Sequence, residues 1–494
     1  MSNEHLDVLV VGAGISGIGA GHYLQTRCAG RSYAILERRG AIGGTWDLFR
    51  YPGIRSDSDM YTLGYAFRPW TGTKAIADGP SILRYLEDTA RDEKIDEKIR
   101  FEHHVIAADW STAAARWTVE IAVGPDGERQ QLTAGFLFMC SGYYNYDAGY
   151  LPEFPNTAAF KGRVVHPQQW TPDIDYAGKR VIVIGSGATA VTLVPEMAKT
   201  AAHVVMLQRS PTYVVSRPGD DKFGLWLRKW LPSMLAYQLT RWKNVLLGMF
   251  FFKIMRKYPA QGKARLVAMA RDELGADYDV ERHFSPHYNP WDQRICAVPD
   301  ADLFKALRDG SASVETDVIE TFNATGIRLK SGKQLDADLV VTATGLDMQL
   351  LGGARLHVDG VAVDLAKALT YKGMMFSDVP NLALSTGYTN ASWTLKTDLT
   401  CAYVCRLLNH MQATRMRQCT PRVGDSDVAP APFLDFSSGY VVRAAAHLPK
   451  QGDRAPWKLH QNYVLDILTL RLGKVDDGAM VFSNPQVKVE EVVV

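Results

Sequence analysis

Two glycine-rich loops in one chain, each entered by a β-branched apolar run and followed by a helix-compatible stretch, predict an α/β protein with two Rossmann-like dinucleotide-binding domains. The strand signal fades over residues 217–291, where long aromatic-rich, mixed-charge segments predict a helical insertion, and strand patterns then return. A nested topology follows. Residues 1–145 and 343–494 form the first domain, 152–216 and 292–342 the second, and 217–291 the insertion.

The first loop is Gly12-Ala-Gly14-Ile-Ser16-Gly17, entered by the apolar run Leu6–Val11. A helix over Ile18–Arg27 and a strand over Ser32–Leu36 follow, ending in Glu37, 20 residues beyond Gly17. A helix N-terminus with free N–H groups takes a pyrophosphate, and an acid at that spacing accepts hydrogen bonds from ribose hydroxyls. A carboxylate repels a 2′-phosphate, so this site favours FAD or NAD over NADP.

The second loop is Gly185-Ser186-Gly187-Ala188-Thr189-Ala190, between strands at Arg180–Ile184 and Val204–Leu207. Here the second strand ends in Gln208-Arg209, with Arg209 19 residues beyond Ala190. A guanidinium grips a ribose 2′-phosphate bidentately, which points to NADPH. Two dinucleotides held at once suit hydride transfer from a nicotinamide to a flavin, so a redox enzyme is the leading reading.

The 494 residues suffice for two or three domains with cores of their own. A formal charge of +2 carries no basic excess to argue for nucleic acid. The N-terminus has Glu4 and Asp7 in place of a basic signal-peptide region, no apolar run approaches the roughly 20 residues that span a bilayer, and the six cysteines are scattered. No metal site and a cytoplasmic location are therefore expected. Asn244–Phe252 is nine uncharged residues between Lys243 and Lys253. Packing against the body of the protein is the favoured reading there, with peripheral membrane association left open.

Between the two loops lies Phe160-Lys-Gly162-Arg-Val-Val-His166-Pro-Gln-Gln-Trp170, and after the first comes Gly44-Thr45-Trp46 through Tyr51-Pro-Gly53 to Asp57. With these in this order the chain resembles the type I Baeyer–Villiger monooxygenases, whose patterns FxGxxxHxxxW and GxWxxxxYPGxxxD they match; Thr171 departs from the Pro or Asp of the family. The resemblance covers nearly the whole chain. It implies a glutathione-reductase-like nested fold, bound FAD and NADPH, and insertion of one oxygen of O2 beside a ketone carbonyl through a C4a-peroxyflavin. Sulfoxidation of thioethers and thioamides is the implied second activity, and a flavin monooxygenase acting on N or S heteroatoms is the alternative.

Carried over residue by residue, the resemblance makes Arg294 the fixed positive charge beside the flavin and Asp57 the carboxylate that holds it. Ser16 and Glu37 take the flavin's phosphate and ribose, Thr45 and Trp46 lie along it, and Val105 contacts the adenine. Arg55, Ser56 and Asp57 face the nicotinamide, while Ser186, Thr189, Gln208 and Arg209 hold the NADP phosphates. Phe160, Gly162, His166 and Trp170 couple domain movement to NADP binding, His166 without acting as a proton donor. Gln293 stands where many relatives have a lysine, so preference for NADPH rests more heavily on Arg209 and weaker discrimination than in those relatives is expected. Trp291, Tyr388 and Trp393 are candidates for the substrate pocket. A dithiol flavin reductase is disfavoured, because Cys401 and Cys405 have the wrong spacing.

Overall fold

A computed structural model describes residues 4–424 and 427–485. Both glycine loops sit where a parallel strand turns into a helix. In the first unit β1 (His5–Val11) runs into α1 (Ile15–Arg27) and then β2 (Tyr33–Leu36). Strands β1 and β2 pair in parallel, Val10 opposite Ile35, and β1 also pairs with the C-terminal half of Glu128–Met139. The N-terminal half of that long strand joins an antiparallel wing with Arg116–Val123 and His103–Ser111. Strand Leu382–Leu384 pairs with the same long strand, and Arg355–Val358 extends the wing, so C-terminal residues complete this sheet.

The second unit repeats the pattern with β3 (Arg180–Ile184), α2 (Ala188–Met197) and β4 (His203–Gln208). Its five strands are all parallel, in the order Ala312–Thr316, β4, β3, Leu339–Thr342, Arg163–Val165. Val181, Ile182 and Val183 are almost fully buried, as expected of a strand covered on both faces. The arrangement is the mixed α/β fold with two Rossmann-like units that the glycine loops predict.

The family-signature segment is the edge of this second sheet. Phe160 is buried against Phe322, and no Cβ fits at Gly162 against the Asp338 carbonyl. The chain can therefore enter the edge strand Arg163–Val165, which lies beside Leu339–Val341. Trp170 packs edge-on to Tyr176.

Residues 217–291 carry helices α3 (Lys222–Leu227), α4 (Ser233–Lys257), Pro259–Leu274 and Val280–Phe284. The long helix α4 is fastened by Arg241, which is buried and donates to the carbonyls of Tyr61 and Gly64 and to Asp398 at 3.2 Å. Asp398 lies on α5 (Trp393–Ala413), where burial, opposed by Arg241, raises its carboxyl to about 6. Losing either partner of such a buried pair leaves an uncompensated charge, a cost of about 3–5 kcal/mol.

Candidate active site at the junction of two nucleotide loops

The N-terminal end of α1 opens on a cavity of about 340 Å³ lined by Gly12, Gly14, Glu37, Trp46, Val105 and Arg294 among others. Its floor is backbone. Gly12 adopts φ +105°, and a Cβ there would stand 2.7 Å from the Cys140 carbonyl oxygen. At Gly17 a Cβ would overlap the Gly12 carbonyl, so glycine alone lets the helix approach the turn. Gly14 faces Gly44, itself at φ +55° and the N-cap of the short helix that begins at Thr45. Together they leave a strip without side chains where a phosphate chain could lie.

Glu37 is buried at the end of β2. Its carboxylate accepts from the N–H of Ala13 at 2.7 Å and of Arg39 at 2.9 Å, which fixes it at the cavity wall. Burial nevertheless raises its pKa against those two donors. Val105 lines the same end, while Thr45, Trp46, Arg55, Ser56 and Asp57 line the path towards the second loop.

Ser16 also borders the cavity, but its hydroxyl accepts from the Trp393 indole N–H at 2.7 Å and lies 3.4 Å from Thr397 Oγ1. Its side chain thus ties α1 to α5.

The second loop reaches the same cavity through Ala188, Thr189 and Thr192. Gly185 turns at φ +137° beneath the Ala343 carbonyl, Gly187 faces open space, and Ala190 is fully buried where the helix meets the sheet. Gly53 of the Tyr51-Pro-Gly turn rests on Thr192 and Glu196 of α2, so the loop bearing Arg55–Asp57 is braced by the second unit. The Ser186 hydroxyl donates to the Ser210 carbonyl at 3.1 Å. Arg55 pairs with Asp302.

Arg209 is exposed at the end of β4 and has no side-chain ion pair or hydrogen bond among the described residues. Gln208 behaves differently. It is buried, and its amide donates to the His283 carbonyl at 2.8 Å and Thr316 Oγ1 at 2.9 Å. Neighbouring residues at a strand end point to opposite faces, so Gln208 turns into the second unit and Arg209 out of it.

Arg294 stands between the two loops, two residues before the short strand Cys296–Pro299. Its guanidinium lies 3.9 Å from the Asp57 carboxylate and donates to the Tyr143 hydroxyl at 3.3 Å. Tyr143, then Tyr440 and Asp57, hold its pKa above the usual arginine range against burial, so it is cationic at any working pH. Burial raises the phenols of Tyr144 and Tyr440 and keeps them neutral. Arg294 Nε has no hydrogen-bond partner among the described residues.

Tyr143, Arg294, Tyr388 and Trp393 also line a second cavity, of about 40 Å³, closed by Phe433, Phe436 and Tyr440. Of the three pocket candidates Tyr388 and Trp393 reach it. Trp291 borders neither cavity and packs against Phe252. Tyr143 and Tyr144 were missed in the sequence because the Gly-, Tyr- and Pro-rich stretch 142–155 reads as a linker. A Tyr-Tyr pair directly after a strand-end glycine was the available signal.

His166 is buried in the turn that leaves the edge strand. Its Nδ1 accepts from the Gln168 N–H at 3.2 Å, so Nε2 carries the proton and donates to the Gly345 carbonyl at 3.2 Å. This joins the signature to the turn Ala343-Thr-Gly345, and burial lowers the pKa of the imidazole. Protonation therefore favours the unfolded chain. The stabilisation is complete above the ordinary histidine value of 6.5 and is lost as pH falls below it. Thermal unfolding measured from pH 7.5 to 5.5 should show a steeper fall for the natural protein than for His166→Gln.

Two nucleotide loops opening on one cavity, with a fixed cation between them, define an α/β protein built to hold two dinucleotides together. Known proteins share this plan. A flavin-binding monooxygenase-like family model matches residues 76–258, and an NAD(P)-binding Rossmann-like model matches 10–86. The FAD-containing monooxygenase EthA of Mycobacterium tuberculosis is 55% identical over 97% of this chain and 98% of its own length. The probable FAD-binding monooxygenase AlmA of Acinetobacter baylyi is 49% identical over 99% and 98%. Among solved structures, an oxidised steroid monooxygenase bound to NADP superposes with a TM-score of 0.76 at 21% identity, covering 97% of this chain and all of that one. Cyclohexanone monooxygenase from Rhodococcus sp. Phi1 gives 0.74 at 18% identity, covering 98% and 100%. The chain belongs to the family of FAD-containing monooxygenases that includes EthA and AlmA.

Proposed function

We propose that the protein is an NADPH-dependent Baeyer–Villiger monooxygenase. It would convert a ketone, O2, NADPH and a proton into an ester or lactone, water and NADP⁺, and oxidise thioethers and thioamides as a second activity. The observation that carries the reading is Arg294, paired with Asp57 where the two nucleotide loops meet and where the aromatic cavity begins. Bound flavin supplies the redox chemistry and the activation of oxygen. The residues present fit that group: a side-chain-free strip at Gly12, Gly14 and Gly44, a buried acid at Glu37, and polar atoms at Ser141 Oγ and Arg294 Nε that have no partner among the described residues.

The protein's own part is electrostatic and steric. Thr45 and Trp46 wall the flavin's path, Val105 its adenine end, and Glu37 receives the ribose. Arg55, Ser56 and Asp57 face the nicotinamide, and Ser186, Thr189 and Arg209 hold the phosphates of NADPH. Arg294 stabilises negative charge that develops on oxygen during transfer, while Tyr143, Trp393 and Tyr388 keep water from the reacting carbonyl. In this reading the flavin unit comprises 1–145 and 343–494, the NADPH unit 152–216 and 292–342, and residues 217–291 cover the substrate side.

NADPH oxidation by the purified protein should rise with aryl or long-chain ketones, and the ester should appear by mass spectrometry. S-oxides formed from thioethers with no ester from any ketone would instead favour the heteroatom-oxidising alternative. Arg209→Ala should raise KM for NADPH about tenfold to a hundredfold and leave that for NADH unchanged, as expected for one lost charge-assisted pair. Steady-state kinetics with both coenzymes checks this.

A further inference from the structure

Helix α4 is apolar on both faces. Its inner face, through Ala236, Tyr237 and Val245, is buried against the body, yet Leu239, Trp242, Leu246 and Phe250 form a bare stripe on the other side, Phe250 57% exposed. A surface helix ordinarily turns polar residues outward. The stripe continues into α3 through Trp226, 56% exposed, and Trp230 beyond it, 75% exposed. On the opposite flank Trp242 meets Tyr463, next to the exposed Leu465 and Leu468. The reading of 244–252 as packed against the body thus holds for Val245 and Met249 and fails for Leu246, Leu247, Phe250 and Phe251.

The helices that carry this stripe bear charges of one sign, with Asp221, Asp292 and Asp435 of neighbouring segments set against Lys243 and Arg256. From Lys222 to Arg271 the chain contains eleven lysines and arginines and no aspartate or glutamate. Lys229, Lys253 and Lys257 are exposed at the rim and carry no ion pair among the described residues. None of the described helices is long and apolar enough to cross a membrane. An apolar strip with tryptophans and a lysine rim suits the interface of an anionic bilayer. A second copy of the chain suits it poorly, because a two-fold contact would set the lysine rims against each other.

Beneath the stripe, Val245 and Met249 pack on Tyr388 and Leu395. Tyr388 lines both cavities at Arg294. The helix that bears the stripe therefore packs behind Tyr388, a wall residue of the aromatic cavity.

We propose that α3, α4 and the segment around Leu465 dock on the surface of an anionic lipid bilayer, so that apolar substrates enter the aromatic cavity from the lipid. The docking stands on the surface itself; delivery of substrate rests on the function proposed above.

The test uses the FAD-loaded full-length protein and sedimentation with phosphatidylcholine vesicles, with and without phosphatidylglycerol. The protein should pellet with the anionic vesicles, release as salt is raised, and shift its tryptophan emission to the blue. Leu246→Glu with Phe250→Glu, and separately Lys253→Glu with Lys257→Glu, should each lower the bound fraction about tenfold or more, with unchanged flavin content and melting temperature. No binding to anionic vesicles, or binding untouched by both double variants, overturns docking. So does a stable oligomer in gel filtration that Phe250→Glu dissolves, since the stripe would then join copies of the chain. If docking holds, added anionic vesicles should lower KM for a long-chain ketone more than for a short water-soluble one. Equal KM values in that arm overturn the delivery route alone.

Discussion

Replacing Arg294 by alanine is expected to lower ester formation by about 10²–10³-fold, equivalent to about 3–4 kcal/mol of barrier, with FAD still bound. The guanidinium is the permanent cation facing the junction of the two loops, with Asp57 at 3.9 Å and the Tyr143 hydroxyl at 3.3 Å. None of the neighbouring phenols can take over its charge, because a phenol is neutral or anionic, and burial keeps Tyr144 and Tyr440 neutral. NADPH oxidation should continue and appear as hydrogen peroxide, since the function proposed here assigns the coenzyme's contacts to Thr189 and Arg209. Asp57→Asn should be milder, lowering the yield of ester per NADPH while leaving the cation in place. Paired assays of ester, peroxide and NADPH separate the two variants.

Gly17→Ala should have an effect of similar size by a different route. The added methyl would overlap the Gly12 carbonyl oxygen, and both sides of the clash are backbone, with no side chain to swing away. Helix α1 must back out of the turn, a strain of about 1–3 kcal/mol, and its N–H groups leave the strip at Gly14 and Gly44. The purified variant should be nearly colourless and melt earlier. Gly187→Ala is the control. Its Cβ would enter open space at φ −80°, so that variant should fold and keep its flavin while its KM for NADPH rises. Absorbance of bound flavin against protein distinguishes the two.

Much of this architecture could be read from the sequence because strand, glycine turn and helix are contiguous. Val11, Gly12 and Ile18 report on one another within a few residues, and Glu37 follows at a spacing set by one βαβ unit. Arg294 and Asp57 came through only by resemblance. Their meeting depends on the Tyr51-Pro-Gly53 turn leaning on α2, a contact no local pattern encodes. Tyr143 and Tyr440 converge on Arg294 from distant segments, one of them a stretch that reads as a linker. Gln208 and Arg209 are neighbours with equally suitable chemistry, and what sets their surroundings apart, the His283 carbonyl beside Gln208, comes from far along the chain. Helix α4 hid its exposed stripe because apolar residues on both faces leave no periodic contrast to read.

Turnover of an aryl ketone under ¹⁸O₂ with limiting NADPH tests the central claim most directly, with the ester, the peroxide and the remaining NADPH all quantified. The account predicts one labelled oxygen in each ester and one NADPH consumed per ester. It also predicts that Arg294→Ala shifts the consumed NADPH almost entirely to peroxide. Unlabelled ester, or no ester from the natural protein with all NADPH recovered as peroxide, would contradict it.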